Sequence, residues 1–162
     1  MSSRIFRVGR SLTGLGLFAI KTIEKKGYIA TYRGRRIGNA EAEAREKRNG
    51  RYLFELNSRW TIDGSARWNV ARYANHSCRP NAEAIGRKGK IVLVALRRIL
   101  PDEEITYDYG KEYFAAFITK AGCRCVKCRQ KRAAKRREAR KKVAPRTKAR
   151  ASSGSVKRKR RA

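Results

Sequence analysis

The chain has 162 residues, 43 of them lysine or arginine against 13 aspartate or glutamate, for a net charge of +30. That length holds one domain with a real core plus an appendage, and a 41% hydrophobic content suits a small globular protein, whereas the charge excludes an ordinary neutral one. No run approaches the roughly 18 consecutive apolar residues that a spanning helix needs, so no membrane segment is expected.

In chain order, Ile5 to Val8 and Leu17 to Ile20 read as short strands around a turn at Gly14-Leu15-Gly16. The opening segment is basic, contains serine and lacks acid, as organelle transit peptides do, but it has no apolar core of a secretory signal. Tyr28 to Tyr32 is rich in β-formers and ends at Gly34. Asn39 to Asn49 reads as a helix: Asn39 as N-cap, Glu41 and Glu43 in the first turn, Lys47 and Arg48 in the last, Gly50 as the stop. Tyr52 to Leu56 and Trp60 to Asp63 read as a strand pair, with further strands at Ile91 to Leu96 and Glu104 to Tyr109 and a short helix at Lys111 to Lys120. Asp102, Glu103 and Glu104 read as a solvated turn that starts a strand. Many short strands with one or two helices predict a β-rich α+β domain.

The charge is unevenly spread. Residues 1–122 hold 24 basic and 12 acidic side chains, and residues 123–162 hold 19 basic and one acidic. From Arg129 the sequence RQKRAAKRREARKK has helix formers but no apolar stripe with which to bury a face. Residues 131–162 are therefore expected to form a basic tail without fixed structure, self-repelling and drawn to polyanions. Nucleic acid is the usual polyanion, because binding releases its condensed counterions, and residues 129–162 are the expected contact. The run KRKRR near the C-terminus suits a nuclear localisation signal or a nucleoid-binding tail. An intracellular, chromatin- or nucleoid-associated protein is expected, with the cytoplasm as fallback.

The four cysteines are Cys78, Cys123, Cys125 and Cys128. A C-x-C-x-x-C cluster offers three ligands to a tetrahedral zinc ion and needs a fourth from elsewhere. Cys78 is the remaining cysteine, and His76 competes with it. Disulfides or free thiols are the alternatives, the former suited to a secreted chain.

Two segments are more specific. Arg72-Tyr73-Ala74-Asn75-His76-Ser77-Cys78-Arg79-Pro80-Asn81 resembles the R-F-x-N-H-S-C-x-P-N segment of SET-domain methyltransferases, and Glu103-Glu104-Ile105-Thr106-Tyr107-Asp108-Tyr109-Gly110 resembles their E-E-L-T-x-D-Y-G segment. Gly14-Leu15-Gly16 matches the family's early G-x-G, Tyr32-Arg33-Gly34 the following Y-x-G, and Gly122 to Cys128 the post-SET zinc segment. The order and spacings agree over residues 4 to about 128. The resemblance implies a SET domain at 4–110, a fold in which the Asn75 and Tyr109 segments form a pseudoknot, and a post-SET zinc segment at 111–130. The sequence departs from the family in lacking pre-SET cysteines, in a C-x-C-x-x-C spacing shorter than the commoner C-x-C-x4-C, and in a minimal central insert. These features resemble compact bacterial or viral members and leave substrate recognition open.

The implied activity is protein-lysine N-methylation from S-adenosylmethionine, on a histone or another basic, nucleic-acid-associated protein. By resemblance, Gly14, Leu15, Gly16, Tyr32, Asn75, His76 and Tyr109 bind the cofactor, and Tyr113 or Phe114 flanks its adenine. Tyr109 is the catalytic tyrosine. Tyr52, Phe54 and Tyr107 line the lysine channel, His76 belongs to the catalytic set, and zinc takes Cys78, Cys123, Cys125 and Cys128. A tyrosine at position 107, where the family has Phe or Tyr, implies monomethylation. Taken singly, these aromatics are more often half-buried packing residues, and Asn75 and Asn81 turn residues. The competing function is a zinc-stapled basic module that coats nucleic acid, its SET core catalytically idle. Pro145-Arg146-Thr147-Lys148-Ala149-Arg150 resembles the A-R-T-K…A-R opening of a core histone tail, which makes Lys148 a candidate for automethylation.

Overall fold

In a computed structural model of the chain, which describes residues 5–48, 50–119 and 121–143, short strands form three small sheets. β1 (Phe6–Ser11) and β2 (Gly14–Ala19) make an antiparallel hairpin, β3 (Tyr28–Tyr32) follows, and β4 (Arg35–Gly38) leads into α1 (Asn39–Lys47). β5 (Leu53–Glu55) and β6 (Trp60–Asp63) pair antiparallel. A 3-10 turn (Val70–Tyr73) precedes the short β7 (Asn75–His76), and β8 (Ala82–Arg87), β9 (Lys90–Ala95) and β10 (Glu104–Tyr107) complete the strands. The sheet orders are β1-β2-β10-β7, β3-β9-β8 and β4-β6-β5. The expected α+β, β-rich class and the strand pair around residue 57 are found.

The core sits where the sheets face one another. Ile91 to Ala95 of β9 are all buried, an unbroken apolar run covered on both faces. Leu17, Ile29, Leu93, Ile99 and Ile105 are fully enclosed, each contributing about 1.5–3 kcal/mol by leaving water. Leu17 and Ile105 lie opposite each other across β2 and β10. β10 then pairs in parallel with β7, Thr106 beside Asn75 and Tyr107 beside His76. The Ser77 amide donates to the Tyr107 carbonyl at 3.0 Å and the Asn81 amide to Thr106 at 3.2 Å. Asn81, 3% exposed, reinforces this junction: its side chain donates to the Glu104 carbonyl at 2.8 Å and accepts from the Thr106 amide at 2.8 Å. The two motif segments, about thirty residues apart in sequence, thus lie side by side.

Several expectations need correction. Gly14-Leu15-Gly16 is strand, not turn; the hairpin reverses at Leu12-Thr13. Asn39 does not cap α1. Gly38 occupies that position, while the Asn39 side chain accepts from the Thr61 hydroxyl at 2.9 Å and donates to the Asn57 carbonyl at 3.2 Å, tying α1 to β6. Gly50 does end the helix: its amide donates to the Arg45 carbonyl at 2.8 Å, and a Cβ there would stand 2.5 Å from that oxygen. The helix after Gly110 is α2 (Lys111–Tyr113), which continues into a π-helical turn over Phe114–Ile118. The largest correction concerns the basic segment, which was expected to lack fixed structure from residue 131. A third helix, α3, runs Val126–Val143. Ala, Arg, Lys, Gln and Glu carry it by intrinsic propensity, and it buries no face, as the missing apolar stripe required. Residues 144–162, with Lys148, lie outside the described residues. Among the described residues, no helix is long and apolar enough to cross a membrane.

Candidate active site

β7 and β10 deliver Asn75, His76, Tyr107 and Tyr109 to one place. The Tyr109 ring packs 4.8 Å from Tyr107, 5.0 Å from Tyr113 and 5.5 Å from His76. Its hydroxyl donates to the Ala74 carbonyl at 2.8 Å and its backbone amide donates to His76 Nδ1 at 3.3 Å. Burial, with neighbouring tyrosine hydroxyls adding to it, pushes the Tyr32, Tyr107 and Tyr109 phenols well above their ordinary range. These hydroxyls stay protonated at neutral pH and act as dipoles and donors, not as bases.

Two cavities meet at Tyr109. The first, about 680 Å³, is lined by Leu15, Tyr73, Asn75, His76, Tyr109, Tyr113 and Phe117 and closed by Gly122 to Cys125. The second, about 540 Å³, is lined by Tyr32, Tyr52, Phe54, Tyr107 and Tyr109, with Glu46, Glu55 and Glu112 exposed around it. Tyr52, Arg72, Tyr109, Tyr113 and Phe117 belong to both. The shared wall is a thin aromatic partition, open on one side to a cofactor-sized space and on the other to an aromatic channel.

Of the residues expected at the cofactor, Leu15, Asn75, His76, Tyr109 and Tyr113 line the first cavity. Gly14 and Gly16 do not. A Cβ at Gly16 would meet the Glu104 carboxylate at 2.5 Å and Ser11 at 2.9 Å, so that glycine serves the close packing of β2. Asn75 spans this junction, its amide donating to the Leu15 carbonyl at 3.0 Å and to Glu104 at 2.7 Å. Tyr32 lines the channel instead, donating to the Tyr52 carbonyl at 2.8 Å with its ring 5.3 Å from Phe54. Phe114 packs 5.2 Å from the His76 ring and lines neither cavity, whereas Phe117, 4.6 Å from Tyr113, lines both. Tyr52, Phe54 and Tyr107 line the second cavity.

Sequence reasoning gave no role to Arg72, Phe117 or the three glutamates. The Arg72 guanidinium lies 3.9 Å from the Tyr52 ring centre and donates to the Ser65 carbonyl. It holds Tyr52, which has a left-handed backbone (φ 67°), against the partition. The signal was there, because Arg72 opens the segment that carries Asn75 and His76.

The sulfurs of Cys78, Cys123, Cys125 and Cys128 all lie within 4.8 Å of one another. Cys78 is 3.8 Å from Cys123 and 3.7 Å from Cys128, close to the roughly 3.8 Å edge of a tetrahedron with Zn–S bonds of about 2.3 Å. No disulfide joins them. Burial lowers the His76 pKa, with Asp108 partly offsetting it, which favours the neutral ring. With Nδ1 accepting from Tyr109, Nε2 carries the proton and faces Cys78 sulfur at 3.3 Å. His76 therefore supports a ligand, and the donor set fits zinc with Cys78 as the fourth member.

Residues 14–110 match the SET domain family model. Over 120 residues the chain is 37% identical to Histone-lysine N-methyltransferase 2D of Homo sapiens, covering 68% of this chain and 2% of that protein. It is 40% identical over 127 residues to Histone-lysine N-methyltransferase set1 of Dictyostelium discoideum, covering 71% of this chain and 8% of that one. A chain in a structure of a humanized mutant of the Chaetomium thermophilum Polycomb Repressive Complex 2 superposes with TM-score 0.60 at 29% identity, over 67% of this chain and 15% of that one. The chain thus spans a small fraction of these relatives, and the region matched by the family model holds the Asn75 and Tyr109 segments. It belongs to the SET-domain family.

Proposed function

We propose that this protein transfers a methyl group from S-adenosylmethionine to a lysine side chain of a histone or similar basic protein. The observation that carries this is the convergence of two cavities on the buried, neutral Tyr109 hydroxyl. S-adenosylmethionine supplies an electrophilic methyl on a sulfonium. Leu15, Asn75, His76 and Tyr113 hold it in the first cavity, and Tyr52, Phe54, Tyr107 and Tyr109 form the channel for the lysine. Aromatic walls favour a cation at entry, and enclosure then lowers the lysine pKa from about 10.4 towards the neutral amine. Tyr109, fixed through Ala74 and His76, aligns the amine with the methyl; alignment of this kind supplies several kcal/mol. With the cofactor bound, the aromatic channel and the Tyr109 hydroxyl would hold the neutral amine in line with the methyl, and the channel's open mouth would let the product's extra proton pass to water. Glu46, Glu55 and Glu112 around the channel favour a basic substrate segment in a protein that is otherwise strongly positive.

Cys78, Cys123, Cys125 and Cys128 hold one zinc ion, which staples the segment closing the first cavity to β7. Residues 129–162 attach the enzyme to nucleic acid, placing it at chromatin or a nucleoid, and Lys148 is a candidate for automethylation. The idle-core alternative is disfavoured by the intact Tyr109 surroundings.

Incubation with labelled S-adenosylmethionine and a histone mixture, followed by intact mass analysis, tests this. Monomethyl-lysine should dominate, and Tyr107→Phe, which widens the channel, should shift product towards dimethyl-lysine. Absence of lysine methylation on any basic protein, with cofactor bound, overturns the proposal.

A further inference from the structure

α3 is unusual in how it sorts its cations. At about 100° per residue, Arg129, Arg132, Arg136 and Arg140 fall within an arc of about 80°, with Arg137 about 60° beyond it, and Lys127, Lys131, Lys135, Lys141 and Lys142 within another of about 120°, centred roughly 160° away. One face is arginine and the other lysine, though both carry the same charge. The lysine face turns to the core at its start, where Lys127 Nζ donates to the Cys78 carbonyl at 3.4 Å. The arginine face points elsewhere, and its four members are exposed. Arg129, Arg132 and Arg136 share a shallow groove with Ala133 and Ala139, whose small side chains leave room for close approach, and Lys135 borders it from the lysine side.

We propose that this arginine face is a docking surface for duplex DNA. This deepens the nucleic-acid attachment proposed above by naming the face and the form of the ligand. Guanidinium is a rigid fork that meets phosphate through two parallel bonds, which the lysine ammonium cannot do. The four arginines span about 16 Å along a straight helix. A helix about 10–12 Å across fits the B-form major groove, about 12 Å wide, whereas the A-form RNA groove is deep and narrow. α3 also has a fixed origin. Cys128 lies in its first turn, and the Arg129 amide donates to the Cys125 carbonyl at 3.0 Å. Cys125 lines the first cavity, so a helix seated on DNA holds the catalytic cavities at a set place beside the duplex.

The test uses the full zinc-loaded chain and fluorescence anisotropy with a labelled DNA duplex of about 20 base pairs, an RNA duplex of equal length and polyglutamate. Two variants each lose four charges: R129Q/R132Q/R136Q/R140Q and K131Q/K135Q/K141Q/K142Q. Glutamine is as good a helix former as either cation, and circular dichroism with zinc analysis verifies that α3 and the metal site persist. The arginine variant should bind DNA at least about 100-fold more weakly at about 50 mM salt. Its slope of log affinity against log salt should be shallower by about 3.6, for four phosphate contacts. The lysine variant should change that slope by less than about 1. Equal losses in the two variants, or tighter binding to RNA or polyglutamate than to DNA, overturn the proposal. DNA binding unchanged in the arginine variant overturns this face but leaves the attachment standing. No DNA binding by the unaltered chain sinks both.

Discussion

Tyr107 and Tyr109 sit where β2, β7 and β10 converge, held by backbone pairing on both sides of β10 and by aromatic neighbours with ring centres within 6.4 Å. From Arg129 to Lys142 in α3, by contrast, every side chain except the partly covered Ala133 is exposed. The first region exists because distant segments pack; the second exists because its residues favour helix and its first turn is pinned at the cysteine cluster. A tertiary site fails as a unit when any wall is lost, whereas a propensity-driven helix loses stability residue by residue. The cysteines are the one feature common to both, closing the first cavity and anchoring α3.

Losing the zinc proposed at the cysteines should therefore give the largest effect, because it strikes both regions. Chelation, or Cys78→Ser, should abolish methyl transfer and cofactor binding and reduce helical signal, since metal binding energy is folding energy for the segment it staples. Active protein without stoichiometric zinc by elemental analysis would contradict this. Tyr109→Phe should separate the regions. Turnover should fall by about 100-fold or more while cofactor binding by calorimetry and helical content stay unchanged, because the hydroxyl acts on alignment in the transition state. A loss smaller than about tenfold, roughly 1.4 kcal/mol, removes Tyr109 from its role.

Stability should respond in the same two ways. Leu93→Ala, in the middle of β9, should cost about 2–5 kcal/mol of global stability in denaturant titrations, while Ala134→Gly in α3 should cost about 1 kcal/mol of local helix and leave the main transition in place. Equal shifts of the main transition would mean that α3 folds cooperatively with the core. The alkaline limb sharpens the contrast. Tyr32, Tyr107 and Tyr109 have folded pKa values raised above the unfolded value near 10. A raised group contributes stability that is intact below the unfolded pKa and is lost as pH rises above it. Stability should be level from neutrality to about pH 9.5 and then fall by about 1.4 kcal/mol per pH unit for each of the three tyrosines. Tyr107→Phe should remove about a third of that slope. An alkaline limb that Tyr107→Phe leaves unchanged would show that Tyr107 ionises as readily folded as unfolded.

Much of the site was legible because its chemistry is local in sequence. Asn75, His76 and Cys78 share one short segment, Tyr107 and Tyr109 another, and three cysteines a third, so residue type and spacing alone marked them. Strand identity was legible wherever apolar runs were bounded by turns, as in β3, β6 and β9. Composition also decided that α3 would bury no face, because ten cations in eighteen residues leave no apolar stripe.

Tertiary structure decided the rest, and the reasons are physical. Which side of the partition an aromatic serves depends on the direction of its side chain, so Tyr32 lines the second cavity rather than the first, and of Tyr113 and Phe114 only Tyr113 lines the first. Gly16 answers to the crowding of Glu104 and Ser11, neighbours brought from elsewhere in the sequence or across the hairpin. Asn39 gave up capping because Thr61 and Asn57, on another strand and turn, offered its side chain better-placed partners. The order in α3 came from a helix start fixed beside Cys125, which removes part of the nucleation cost that an isolated basic peptide meets alone. Sequence carries residue chemistry and local period; only folding decides which groups, far apart along the chain, face the same space.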